Sequence, residues 1–159
     1  MIIQLKSEDI VLEPKARGLW CTLPYYNHPK GCPNFGKKVG CPPFSPKFEE
    51  VYMQPFYMVM EFFDIETHVI KMKEKHPKWT EKQCRSLLYW QKNLNKKLEN
   101  NANEFMKKLS TKNIELVKTP EAMGINMFET CKNVGVLLER NPKKMVIKIV
   151  IIAIRKDKS

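Results

Sequence analysis

Cys21, Cys32 and Cys41 are the residues in this chain whose type and spacing most directly suggest chemistry. Ten and then eight residues separate them, and Pro42 and Pro43 follow the last at once. Thiolates are soft donors, so three of them suit zinc, copper(I) or an iron-sulfur cluster. The closely paired Cys-x2-Cys knuckles of structural zinc are absent, which weakens zinc without excluding it. A cubane cluster needs ligands at separated corners, and a wrapping loop can supply them. Glycines at 31, 36 and 40 would let backbone N–H groups approach sulfide, one of the levers on reduction potential.

The fourth corner has several candidates. Cys84 lies near the start of a predicted helix and could meet the loop, although a thiol there could equally pack against Trp79. His28, between Cys21 and Cys32, would complete a three-cysteine, one-histidine site suited to zinc. Cys131 shares a helix face with Met127 and reads as core, and His68 and His76 read as surface or capping residues. If no protein group takes this position, one iron is open to substrate, sulfide or water, and catalysis becomes available. With Cys84 bound, the centre is closed and its role is structural or electron transfer.

The cysteines lie in residues 18–46, which hold four of the six glycines and six of the eleven prolines. Such a run cannot be regular structure and reads as a long loop that something must hold. After it, residues 56–65 suit a buried strand. Thr80 and Gln83 have capping-box spacing for a helix running to about Leu109, with Cys84, Leu87, Leu88, Leu94, Leu98, Ala102, Phe105 and Leu109 as its apolar stripe. Residues 114–117 read as a short strand. Thr119 and Pro120 open a second helix that Gly124 weakens and Gly135 ends. Residues 136–139 and 145–154 read as two strands about an Asn141–Pro142 turn. The expectation is one α+β (or α/β) domain over 1–159: a mixed sheet packed by a long and a shorter helix, with the cysteine loop at one end.

The chain has 159 residues, and its formal charge of +11 implies a field attractive to nucleic acid, acidic lipid or anionic substrates. On a helical wheel, Lys82, Arg85, Lys92, Lys96, Lys97, Lys107 and Lys108 face away from the apolar stripe, with Tyr89 and Trp90 among them. That mixture favours stacking on bases and contact with phosphates, although solvated outer faces of helices often look the same. No run reaches the roughly 18 apolar residues of a membrane span; the best, residues 145–154, contains Lys148. Five cysteines and no visible secretory signal suggest reduced thiols and a cytoplasmic protein. Walker, Rossmann and HExxH patterns are absent, and Asp9, Glu13, Glu61 and Asp64 have no assignable acid or base role.

The run Leu19-Trp20-Cys21 through His28-Pro29-Lys30-Gly31-Cys32-Pro33-Asn34-Phe35-Gly36, then Cys41-Pro42-Pro43, resembles a cysteine-rich, predicted metal-binding family of unknown function found mainly in anaerobic microbes. Glu121-Ala122-Met123-Gly124-Ile125-Asn126-Met127-Phe128-Glu129-Thr130 looks like that family's C-terminal helix segment. The resemblance implies metal, more plausibly a 4Fe-4S cluster, on Cys21, Cys32 and Cys41, and brings no assigned reaction. Larger members carry further close-set cysteines before the C-terminal segment; residues 112–118 hold none, so a second cluster is not expected. Three readings follow: an iron-sulfur protein in redox or sulfur chemistry, with a redox partner or an RNA such as tRNA as substrate; a zinc-stapled RNA-binding module; or a scaffold that metal stabilises.

Overall fold

The computed structural model describes residues 1–24 and 28–157. The loop residues 25–27, part of the first resemblance run, lie outside the described residues. Four strands, β1 (Ile2–Leu5), β2 (Tyr52–Asp64), β3 (Ile114–Val117) and β4 (Met145–Arg155), form one sheet in the order β1-β2-β4-β3. Every neighbouring pair is antiparallel, so the sheet is not mixed as expected. The reason lies in the order of the chain. The helices after β2 deliver β3 parallel to it, as a crossover would, but β4 returns between the two and reverses each pairing.

Six helices accompany the strands among the described residues: α1 (Leu19–Thr22), α2 (Phe48–Val51), α3 (Ile65–Lys75), α4 (Glu81–Cys84), α5 (Gln91–Leu109) and α6 (Met127–Asn133). Side chains alternate across the sheet. Val59 of β2 with Val150 and Ile152 of β4 pack on Leu98 and Ala102 of α5. On the other face, Met58, Met60, Ile151 and Ala153 meet Met123, Ile125, Met127 and Cys131. The sheet is thus the middle layer, with α5 on one side and α6 with the N-terminal turns on the other.

Several expectations shift in instructive ways. Strand β2 begins four residues earlier than expected, across a register break between Met53 and Tyr57 that accommodates Pro55, a residue with no N–H to give. It ends at Asp64, whose carboxylate accepts the Thr67 N–H at 2.9 Å and starts α3, a helix beyond those expected from the sequence. The helix expected from Thr80 to Leu109 is broken after Cys84. Ser86 turns extended, a 3₁₀ turn covers Leu87–Tyr89, and α5 starts afresh. The break serves Trp90, which enters the core to stack on Phe63 at 4.8 Å and donates its indole N–H to the Arg85 carbonyl at 3.2 Å. Leu87 and Leu88, expected in the apolar stripe, are turned outward.

The second helix is likewise split. Pro120–Met123 forms a 3₁₀ turn, Gly124 takes a left-handed φ of 96°, and Asn126 caps α6 anew. Gly124 therefore separates two elements instead of weakening one. Residues 136–139 form no strand; with 140–144 they run as irregular chain to β4. No helix among the described residues is long and apolar enough to cross a membrane.

Candidate metal centre

The cysteine region is mostly loop, as its Gly and Pro content requires, but Leu19–Thr22, free of both, winds one helical turn that carries Cys21. Glu13 starts the approach by accepting the Lys15 N–H at 3.2 Å, and the turn Pro14–Arg17 buries Ala16. The Cys21 thiol lies 3.8 Å from the Ala16 carbonyl. The next pass of the loop is tied straight to this turn, since the Cys32 N–H donates to the Cys21 carbonyl at 2.7 Å. Gly31, at φ 85°, makes that crossing feasible.

The third cysteine is held by a second set of main-chain bonds. Gly36 N–H donates to the Pro42 carbonyl at 2.9 Å, Cys41 N–H to Lys38 at 2.9 Å, and Ser45 N–H back to Cys41 at 3.1 Å. Ser45 is buried and anchors the far end of the loop. Its hydroxyl donates to the Ala122 carbonyl, and the Arg17 guanidinium donates to the Ser45 carbonyl. The loop is thus fixed both to the turn before Cys21 and to the turn before α6.

All three thiols are partly exposed. Burial raises the Cys21 pKa above its ordinary value, and Cys32 and Cys41 raise it further as nearby negative charges. The three thiols therefore lie near enough for the other two to act on Cys21. They do not close around a point: among the described residues no three His, Cys, Asp or Glu side chains are gathered to hold a metal ion. Lys15, Lys30, Lys37 and Lys38 are exposed on the surrounding chain and can offset the negative charge of a thiolate-bound group.

Cys84 and Cys131 are elsewhere. Cys84 is fully buried in α4, which packs against α3. Cys131 is fully buried in the core, its thiol 3.8 Å from the Met58 sulfur, and burial pushes its pKa up to about 12. His28, whose carbonyl accepts the Gly31 N–H at 3.0 Å, opens onto a groove beside α4 that none of the three loop cysteines lines. In folded, metal-stripped protein at about pH 8, iodoacetamide should therefore label Cys32 and Cys41 first, Cys21 more slowly, and Cys84 and Cys131 only on unfolding. Mass-spectrometric mapping reads this order directly.

Residues 4–118 match the family of predicted metal-binding proteins DUF2284. The chain belongs to that family. The matched span contains Cys21, Cys32, Cys41, Cys84 and His28 and stops before residues 121–130, the second segment of the resemblance. No curated protein and no solved structure matches the chain.

The proposed RNA face is dispersed by the fold. Trp90 is buried, and Arg85 donates to the Pro142 carbonyl across to another segment. Lys97 pairs with Glu61 at 3.1 Å. Tyr89 stays half exposed beside Trp79, which itself stacks on His76 at 3.9 Å. Lys92 and Lys96 remain exposed on α5. The continuous aromatic and basic stripe of an unbroken helix is replaced by separate groups, because the chain turns at Ser86.

The sequence assigns no site role to Glu121 or Lys148, which share the groove with His28. The available signal was a single lysine inside the otherwise apolar run of β4.

Proposed function

We propose that this chain carries an iron-sulfur cluster on Cys21, Cys32 and Cys41, with one coordination position free of protein side chains, and works in redox or sulfur-handling chemistry. The observation that carries this reading is the main-chain bond from the Cys32 N–H to the Cys21 carbonyl, which ties two of the three cysteine backbones together, with Cys41 held in the same loop by bonds of its own. Zinc needs its donors about 2.0 to 2.3 Å from a single point, whereas a cluster needs thiolates spread around a larger body. The three cysteines are partly exposed and, among the described residues, are not gathered around one point as zinc would require. The membership in a metal-binding family supports metal and leaves its kind open.

When bound, such a cluster supplies an electron couple and, at an iron without a protein ligand, a Lewis-acidic position. The chain's own contributions are distinct. Cys21, Cys32 and Cys41 hold it as thiolates, and the Ala16 and Cys21 carbonyls fix the geometry of the first turn. The basic loop residues favour an anionic substrate or an acidic redox partner at the same face. Ligation requires the thiols to lose protons, so metal affinity should fall as pH falls, most steeply for the raised Cys21. Reduced thiols of this kind suit a cytoplasmic setting.

Anaerobic purification followed by absorption spectroscopy and metal and sulfide analysis tests the proposal. A brown protein with iron and inorganic sulfide is the expected result. Colourless protein with stoichiometric zinc would overturn it in favour of a zinc-stapled module, whose RNA contacts would fall to Lys92, Lys96 and Tyr89.

A further inference from the structure

Lys148 occupies the middle of β4 on the sheet face that meets α5, between Val146 and Val150 on that face. The residue directly opposite on β2 is Glu61, the obvious partner for a buried lysine. Glu61 is taken: Lys97 holds it at 3.1 Å, and the Asn101 amide donates to it as well. Among the described residues, no hydrogen bond or ion pair holds Lys148. An ammonium left half-buried and unpaired between valines costs free energy, so its retention needs a reason.

That reason lies in the space above it. A groove of about 1420 Å3 runs between α4, the start of α5 and β4, with the irregular segment before β4 as its far wall. Arg85 ties the walls by donating to the Pro142 carbonyl. Glu121 faces Lys148 within the groove, too far for an ion pair but near enough for the two charges to act on each other. Glu121 is solvent-exposed at the side of the groove, and the chain around its carboxyl pushes its pKa up by desolvation. The rim is apolar: Leu88 is 88% exposed, Leu137 75% and Phe128 40%, all lining this one cleft. Scattered exposed leucines need no explanation, but a set converging on a cleft does. Cations outnumber carboxylates along the lining by six to three.

We propose that this groove binds a small organic anion with an apolar body, its anionic group held by Lys148 and its body lying along Leu88, Phe128 and Leu137. Concave shape, apolar walls and one charged group at depth are the usual build of a small-ligand site. Lys118 is already paired with Glu99 at 3.1 Å, Arg85 with a carbonyl, and Arg140 lies over the Phe128 ring at 5.8 Å, while Lys144 is exposed; Lys148 is the half-buried lysine on the strand itself. Burial lowers the Lys148 pKa and Glu121 opposes that shift, so an incoming anion completes a charge pairing that the fold leaves open. The groove borders the cysteine loop at His28, but Cys21, Cys32 and Cys41 do not line it, so the site stands whether or not the loop proposal does.

The probe is anilinonaphthalene sulfonate, an anion on an apolar aromatic body, titrated into the protein as purified with its metal. Trp79 and Trp90 line the groove, so transfer from tryptophan to dye reports occupancy. Saturable binding of one dye per chain is expected. Lys148→Met should weaken it by roughly tenfold or more, Lys148→Arg should retain it, and Leu137→Asp should weaken it from the rim. Circular dichroism and melting should show Lys148→Met folded and no less stable, since methionine removes an unpaired charge from the interior. Displacement by decanoate or by decyl phosphate then tells a carboxylate from a phosphate head group, and either supports the site. Unchanged dye affinity in folded Lys148→Met overturns it. So does a dimer in light scattering whose formation excludes the dye, because the groove would then be a contact between copies.

Discussion

Cys21→Ser, Cys32→Ser and Cys41→Ser should each cut the metal content of anaerobically purified protein to about a tenth of wild type or less, since each removes one of three soft ligands. Serine keeps the size of the side chain and removes the thiolate, so the loop's main-chain bonds, such as Cys32 N–H to Cys21 carbonyl, can still form. Stability should therefore fall only by what the metal contributes. Cys84→Ser should behave in the opposite way. Its thiol is fully buried in α4 next to α3, and a hydroxyl placed there without a partner costs roughly 1 to 3 kcal/mol, seen as a lower melting temperature with metal retained. The two readouts separate cleanly, metal to protein ratio against thermal midpoint. Loss of metal in Cys84→Ser with an unchanged midpoint would replace the open three-thiol centre by a closed four-thiol one.

The legible part of this fold was whatever local physics decides. The apolar runs of β2, β3 and β4 were readable because a buried strand needs bulky residues over its whole length. So was the loop character of the cysteine region. What escaped was set by tertiary competition. Trp90 could satisfy a continuous helix or a stacking partner in the core, and only the presence of Phe63 on the neighbouring strand decides for the core. Once it does, Leu87 and Leu88 are expelled and the predicted basic stripe is broken. The antiparallel sheet is a similar case, because nothing local in residues 145–155 says that they insert between β2 and β3.

At the candidate site, the residue types were visible and the contacts were not. Three cysteines among glycines and prolines declare soft-donor chemistry, but which main-chain groups bind them together depends on the crossing at Gly31. Lys148 shows the reverse limit. In the sequence it is a charge interrupting an apolar run, and its significance appears only when its cross-strand neighbour Glu61 proves to be engaged by Lys97.

Gly31→Ala is the substitution expected to disable the loop without touching a thiol. Gly31 has a φ of 85°, in the left-handed region where a Cβ costs about 1 to 2 kcal/mol by itself. The larger effect is steric. An added Cβ would stand 2.5 Å from the Cys21 carbonyl oxygen and 2.8 Å from both the carbonyl carbon and the Cα of Thr22. These are backbone atoms of a helical turn, so no flexible side chain can give way. The chain must separate at the point where Cys32 N–H meets Cys21 carbonyl, and the first two thiols move apart together with it. Gly36→Ala supplies the control. Its φ of 69° is also left-handed, but nothing lies within 4 Å of the added atom, so it carries the conformational cost without the collision. The expected pattern is most of the metal lost from Gly31→Ala and most of it kept by Gly36→Ala. The sheet, whose core is formed by β2, β4 and α5, should melt cooperatively in both. Full metal content in Gly31→Ala would mean that the close crossing of Cys21 and Cys32 does not position the ligands.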